Sequence, residues 1–188
     1  MTISPLFFVF WLIFALFGDV SNILYVLICA VVHEAAHICT FIALGAEIKD
    51  IEILSFGLSA SLKNTMKLSC KKEIICAAAG PIANIVFALI AMLLTYFPNI
   101  EGAEFLFYCN AALAGINLLP IVPLDGGRII YFLLLDVLEV KKADIIAKII
   151  AFLLLVPMTA FGVWLVLYNK NVSVLMICVY LYIYNIYV

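Results

Sequence analysis

The 188 residues are 68% hydrophobic and 12% charged, with a mean hydropathy of +1.28. That composition leaves too little polar surface for a water-soluble domain, and the apolar runs are long enough to cross a bilayer. A net charge of −2, with no basic patch and no Gly-rich phosphate loop, argues against nucleic acid as a partner.

The first apolar run, about Ser4–Phe17, is short for a span. No Lys or Arg precedes it, so it reads as a retained helix rather than a cleaved leader. The second helix is expected over about Asn22–Leu44. The stretch Ile48–Lys72 follows, and within it Ile51–Leu62 partly alternates around Gly57, which predicts a short hairpin. A third helix is expected over Glu73–Phe97 and a fourth over Ala103–Leu119. Pro120 and Pro123 then break the chain before Asp125-Gly126-Gly127, and Arg128–Val140 reads as a helix at the membrane surface or in the interior. The fifth helix is expected over Asp144–Tyr168, kinked at Pro157, and the sixth over Val172–Tyr187.

The expected fold class is therefore an all-α polytopic membrane protein. It has about six transmembrane helices and a small cytoplasmic-side β-hairpin after the second. Of the ten Lys and Arg residues, all but Lys170 fall in the loop after the second helix or between Arg128 and Lys148. The positive-inside rule then puts both termini in the cytoplasm. The six cysteines, at 29, 39, 70, 76, 109 and 178, read as small residues of a reduced protein. One domain over 1–188 is expected, with its core at 20–140 and C-terminal helices at 144–188. Neither a CBS nor a PDZ domain is expected.

Both histidines of the chain lie in His33-Glu34-Ala35-Ala36-His37, inside the second helix. Ionisable groups are costly there and mark function. At a spacing of four, the two imidazoles project from one helix face and can share a zinc ion. Glu34 lies beside it and can handle the proton of an attacking water. His37 precedes Gly45 by eight residues, which is about 12 Å below the cytoplasmic surface. A catalytic zinc usually takes three protein ligands, and no third histidine exists. Asp125, in the unwound Pro120–Arg128 stretch, is the best candidate, and Cys29 is its rival. Asn84, in Gly80-Pro81-Ile82-Ala83-Asn84, needs a polar partner inside the bundle.

Together, His33-Glu34-Ala35-Ala36-His37, Gly80-Pro81-Ile82-Ala83-Asn84, and Asn117 with Pro120, Leu124, Asp125, Gly126, Gly127 and Arg128 resemble the site-2 protease family of intramembrane zinc metalloproteases. The resemblance covers about residues 20–140. It implies that His33, His37 and Asp125 bind one zinc ion, that Glu34 is the general base, and that Asn84 and Asn117 line the active cleft as substrate-binding residues. The short chain and the Phe56-Gly57 segment resemble the stage IV sporulation protein FB branch, which processes a membrane-associated pro-sigma factor.

The expected function is zinc-dependent hydrolysis of a peptide bond in or next to a bacterial cell membrane. The expected partners are a membrane-associated protein substrate such as a pro-sigma factor, the lipid bilayer, and membrane regulatory or inhibitory proteins. The alternative is a catalytically silent scaffold that binds a regulatory partner. A zinc transporter would need a relay of ligands, which a chain with only two histidines does not supply.

Overall fold

The fold is described from a computed structural model, over residues 2–3, 20–45, 48–54, 57–62, 68–97, 100–169 and 172–187. The helix expected at 4–17 lies outside the described residues. The chain divides into two compact units, Met1–Ile116 and Asn117–Val188.

In the first unit, helix α1 runs over Val20–Ala43. It stops where Gly45 turns left-handed at φ 79°, with the Gly45 N–H donating to the Ile42 carbonyl at 3.0 Å. Strand β1 (Thr2–Ile3) pairs in parallel with β2 (Ile48–Leu54), and β2 pairs antiparallel with β3 (Gly57–Leu62). The sheet order is β1-β2-β3, with an irregularity between Ile48 and Asp50. Helix α2 runs over Cys70–Leu94, and the Lys72 ammonium reaches back to donate to the Leu44 carbonyl at 3.0 Å. A cation there complements the negative end of α1. Helix α3 covers Ala103–Asn117.

The packing in this unit is inside-out relative to a soluble protein. The buried positions of α2 are Cys76, Ala77, Gly80, Pro81, Asn84, Ala88 and Ala91, which are small or polar. Ile82, Ile85, Val86, Leu89 and Leu93 of the same helix are exposed. Small residues let α1 and α2 approach closely, while the large apolar side chains face outward, as lipid requires. Among the described residues, three helices are long and apolar enough to cross a membrane: Asn22–Ala43, Cys70–Leu94 and Val140–Tyr168.

In the second unit, α4 covers Asp125–Leu135, α5 covers Val140–Asn169 and α6 covers Ser173–Tyr187. Ile121, Ala151, Leu155 and Leu181 form its buried core, so the segment between the two prolines packs against α5 and α6. Asn185 on α6 donates to the Val122 carbonyl at 2.6 Å and ties that segment down.

Several boundaries differ from those read in the sequence. Helix α4 starts at Asp125 rather than Arg128, because both glycines are helical. A Cβ on Gly126 would collide with the Leu118 carbonyl, and one on Gly127 with the backbone of Ile121 and Val122. The glycines are there for close approach rather than for a loop. Helix α5 starts at Val140 rather than Asp144. Lys141 and Lys142 lie on the exposed side of its first turn, while Ala143 is buried, so the lysines sit there without cost. Helix α3 ends at Asn117, two residues before Leu119, as the chain prepares for Pro120.

Candidate metal centre

His33 and His37 sit one turn apart on α1 and are 5% and 7% exposed. Their rings meet edge to face, with centroids 4.8 Å apart. Each ring is fixed from behind by an oxygen on α2. The His33 Nδ1–H donates to Asn84 Oδ1 at 2.5 Å, and the His37 Nδ1–H donates to the Cys76 carbonyl at 2.7 Å. An amide oxygen and a carbonyl only accept, so both rings carry their proton on Nδ1. Both Nε2 atoms are then left with lone pairs, and they face each other at 3.2 Å.

That separation suits a shared metal. Two nitrogens each about 2.0–2.1 Å from a tetrahedral zinc lie about 3.3 Å apart. Two lone pairs at this distance repel one another, and a cation between them removes the conflict. Gly80 of α2 faces the same rings with no side chain of its own, so the two imidazoles have room. Pro81 contributes as well. Lacking an N–H, it cannot donate to the Ala77 carbonyl, one residue beyond the Cys76 carbonyl that holds His37. The donor set fits zinc, with a hydrogen-bonded oxygen behind each ligand ring.

The first unit thus brings together His33, His37 and Asn84. Asn84, expected to line the cleft, is fully buried, and its oxygen accepts from His33. Glu34 follows His33 on α1 and is half-buried. In the second unit, Asp125 is the first residue of α4 and only 7% exposed. Like the two histidines, it offers one ligand atom. Asn117 is the last residue of α3 and half-buried. The Cys76 carbonyl was missed by the sequence reading, because a backbone acceptor leaves no signature in residue type.

Comparison with known proteins agrees with this chemistry. The fold is shared with the solved site-2 protease from Methanocaldococcus jannaschii, at a TM-score of 0.71 and 23% identity, over 96% of this chain and 86% of that one. The model for peptidase family M50 matches residues 99–157. Stage IV sporulation protein FB of Bacillus subtilis (strain 168) is 30% identical over 138 residues, covering 71% of this chain and 48% of that protein. A zinc metalloprotease of M. jannaschii is 28% identical over 160 residues, covering 82% of this chain and 45% of that protein. The chain thus resembles peptidase family M50 over part of its length and shares the fold of a site-2 protease. It spans just under half the length of these two relatives.

Proposed function

We propose that the chain is a zinc metalloendopeptidase that cuts a peptide bond within or beside the membrane. The observation that carries this reading is the pair of Nε2 atoms held 3.2 Å apart, each on a ring whose other nitrogen is tied to an oxygen. Asp125 is the third ligand. It is a buried carboxylate in the first turn of α4 and offers an oxygen as a ligand atom.

Zinc, when bound, polarises the scissile carbonyl and makes water acidic enough to give up a proton. Glu34 takes that proton from the attacking water and later passes it to the leaving amine. His33 and His37 stay neutral and oriented throughout. Asn117 contributes a side-chain amide to the substrate cleft. A substrate helix has its backbone locked by internal hydrogen bonds and must unwind before attack. Strand β3 is at the edge of its sheet, so it can take the unwound segment as an added strand.

The same reading gives six membrane spans, both termini in the cytoplasm of a bacterial cell, and one intramembrane protease domain. The substrate is a membrane-associated protein. A pro-sigma factor processed during sporulation is the specific candidate, supported by the likeness to stage IV sporulation protein FB. Regulatory or inhibitory membrane proteins are further partners.

The test is cleavage of a membrane-tethered pro-sigma factor co-expressed with the wild type or with Glu34→Gln. Loss of the general base is expected to slow cleavage by about 10²–10⁴-fold while zinc stays bound. Unchanged cleavage would remove Glu34 from the chemistry.

A further inference from the structure

Behind the metal-facing histidines runs a chain of side-chain amides that ends on α3. Asn84 accepts from His33 and donates through Nδ2 to Asn110 Oδ1 at 2.8 Å, and to the Cys29 carbonyl at 3.4 Å. Asn110 in turn donates through Nδ2 to the Leu106 carbonyl at 2.9 Å. Asn84 is fully buried and Asn110 is 4% exposed, so water has little access to either amide.

The order of donors and acceptors in this chain is forced. The Leu106 carbonyl only accepts, so Asn110 must turn its NH2 towards it. Asn110 then presents its oxygen to Asn84, and Asn84 must answer with its own NH2. That leaves the Asn84 oxygen for His33, whose Nδ1 must carry the ring proton. The lone pair of the neutral ring is thereby left on Nε2, the atom that faces His37. A reversed Asn84 would present NH2 to Nδ1 and drive the proton onto Nε2, where it blocks a metal. Asn84 alone does not fix its direction, since an amide can flip. The Asn110 oxygen at 2.8 Å does so most strongly, and the longer 3.4 Å contact to the Cys29 carbonyl favours the same direction.

We propose that Asn110 is a positioning residue of the metal centre: through Asn84 it holds His33 in the tautomer that can ligate. The proposal rests on the metal reading above, but its main observable does not need the metal. Asn110 touches neither His33 nor substrate in this scheme, and it acts through one intervening side chain.

The experiment uses the full chain in detergent or nanodiscs. The first measurement is histidine 15N NMR on chelator-treated wild type, which distinguishes the two neutral tautomers. His33 is expected with its proton on Nδ1. A proton on Nε2 would overturn the proposal without any variant. The second compares wild type with Asn110→Leu, which has a similar volume and no amide, after checking thermal stability. The variant is expected to show a mixture of His33 tautomers, and its zinc affinity by chelator competition is expected to fall about tenfold, as when a group orienting a metal ligand is lost. Should Asn110→Leu fold poorly, Asn110→Ser removes the amide with a smaller change. A folded variant with an unchanged tautomer and zinc affinity within twofold overturns the proposal. A wild type that keeps the Nδ1 tautomer but binds no zinc overturns the metal reading instead, so the two failures are distinguishable.

Discussion

Gly80 stands directly against the imidazole of His33: a Cβ built on it would lie 2.7 Å from that ring's Nε2. The same atom would collide with Nε2 of His37. The nearest obstruction to a side chain at this position is therefore the pair of atoms expected to hold the metal. Gly80→Ala must displace the rings or push α2 away from α1. Overpacking of this kind costs on the order of 1–3 kcal/mol. We expect the variant to lose most of its bound zinc while remaining in the membrane fraction. Gly115→Ala is the control, since nothing lies within 4 Å of a Cβ there. It should keep its zinc and be as stable as wild type or slightly more so. Metal analysis of the two variants side by side checks the prediction.

Asn84→Ala removes the acceptor behind His33 and leaves a buried ring N–H without its partner. Metal affinity is expected to fall about 10–100-fold. Asn84→Asp keeps an acceptor for His33 but sets its second oxygen against the Asn110 oxygen, so Asn110 must turn over and give up the Leu106 carbonyl; it should retain more of the affinity than Asn84→Ala, at a cost in stability. Equal losses in the two would mean that Asn84 matters only for packing. Chelator competition on both variants measures this.

The first turn of α4 makes a similar prediction for the second unit. Gly127→Ala places a methyl group against the backbone of Ile121 and Val122, which cannot rotate away. We expect a loss on the order of 1–3 kcal/mol, read as a lower thermal midpoint and earlier protease cleavage between Leu118 and Leu124. Asn185→Leu, which releases the Val122 carbonyl, should loosen the same segment by a smaller amount, about 1 kcal/mol.

The parts of the site that were legible in the sequence are those set by local geometry. His33 and His37 share a face because four residues make about one helical turn, and this holds before any tertiary contact forms. Asp125 stood out because Pro120 and Pro123 unwind the segment before a carboxylate in an otherwise apolar chain, and the glycines after it let the chain approach closely. Asn84 could be read as needing a polar partner, but the partner itself could not be named. His33 lies 51 positions away and Asn110 lies 26 away, and no local pattern encodes those meetings. The Cys76 carbonyl was invisible for a simpler reason, since every residue has one. The helix starts at Asp125 and Val140 were misplaced because glycine and lysine usually mark breaks. Here the glycines admit a neighbouring backbone, and the lysines sit on the exposed side of the first turn. Asn185 was overlooked among the tyrosines of the last helix, which read as an interfacial belt, yet it braces the loop before Asp125.

Zinc content of the purified, folded full chain tests the metal centre most directly. The expected result is close to one zinc per chain in wild type and in Glu34→Gln, with a large loss in His33→Ala, His37→Ala and Asp125→Asn. Folded wild-type protein that carries no tightly held transition metal, and takes up none when zinc is supplied, would contradict it.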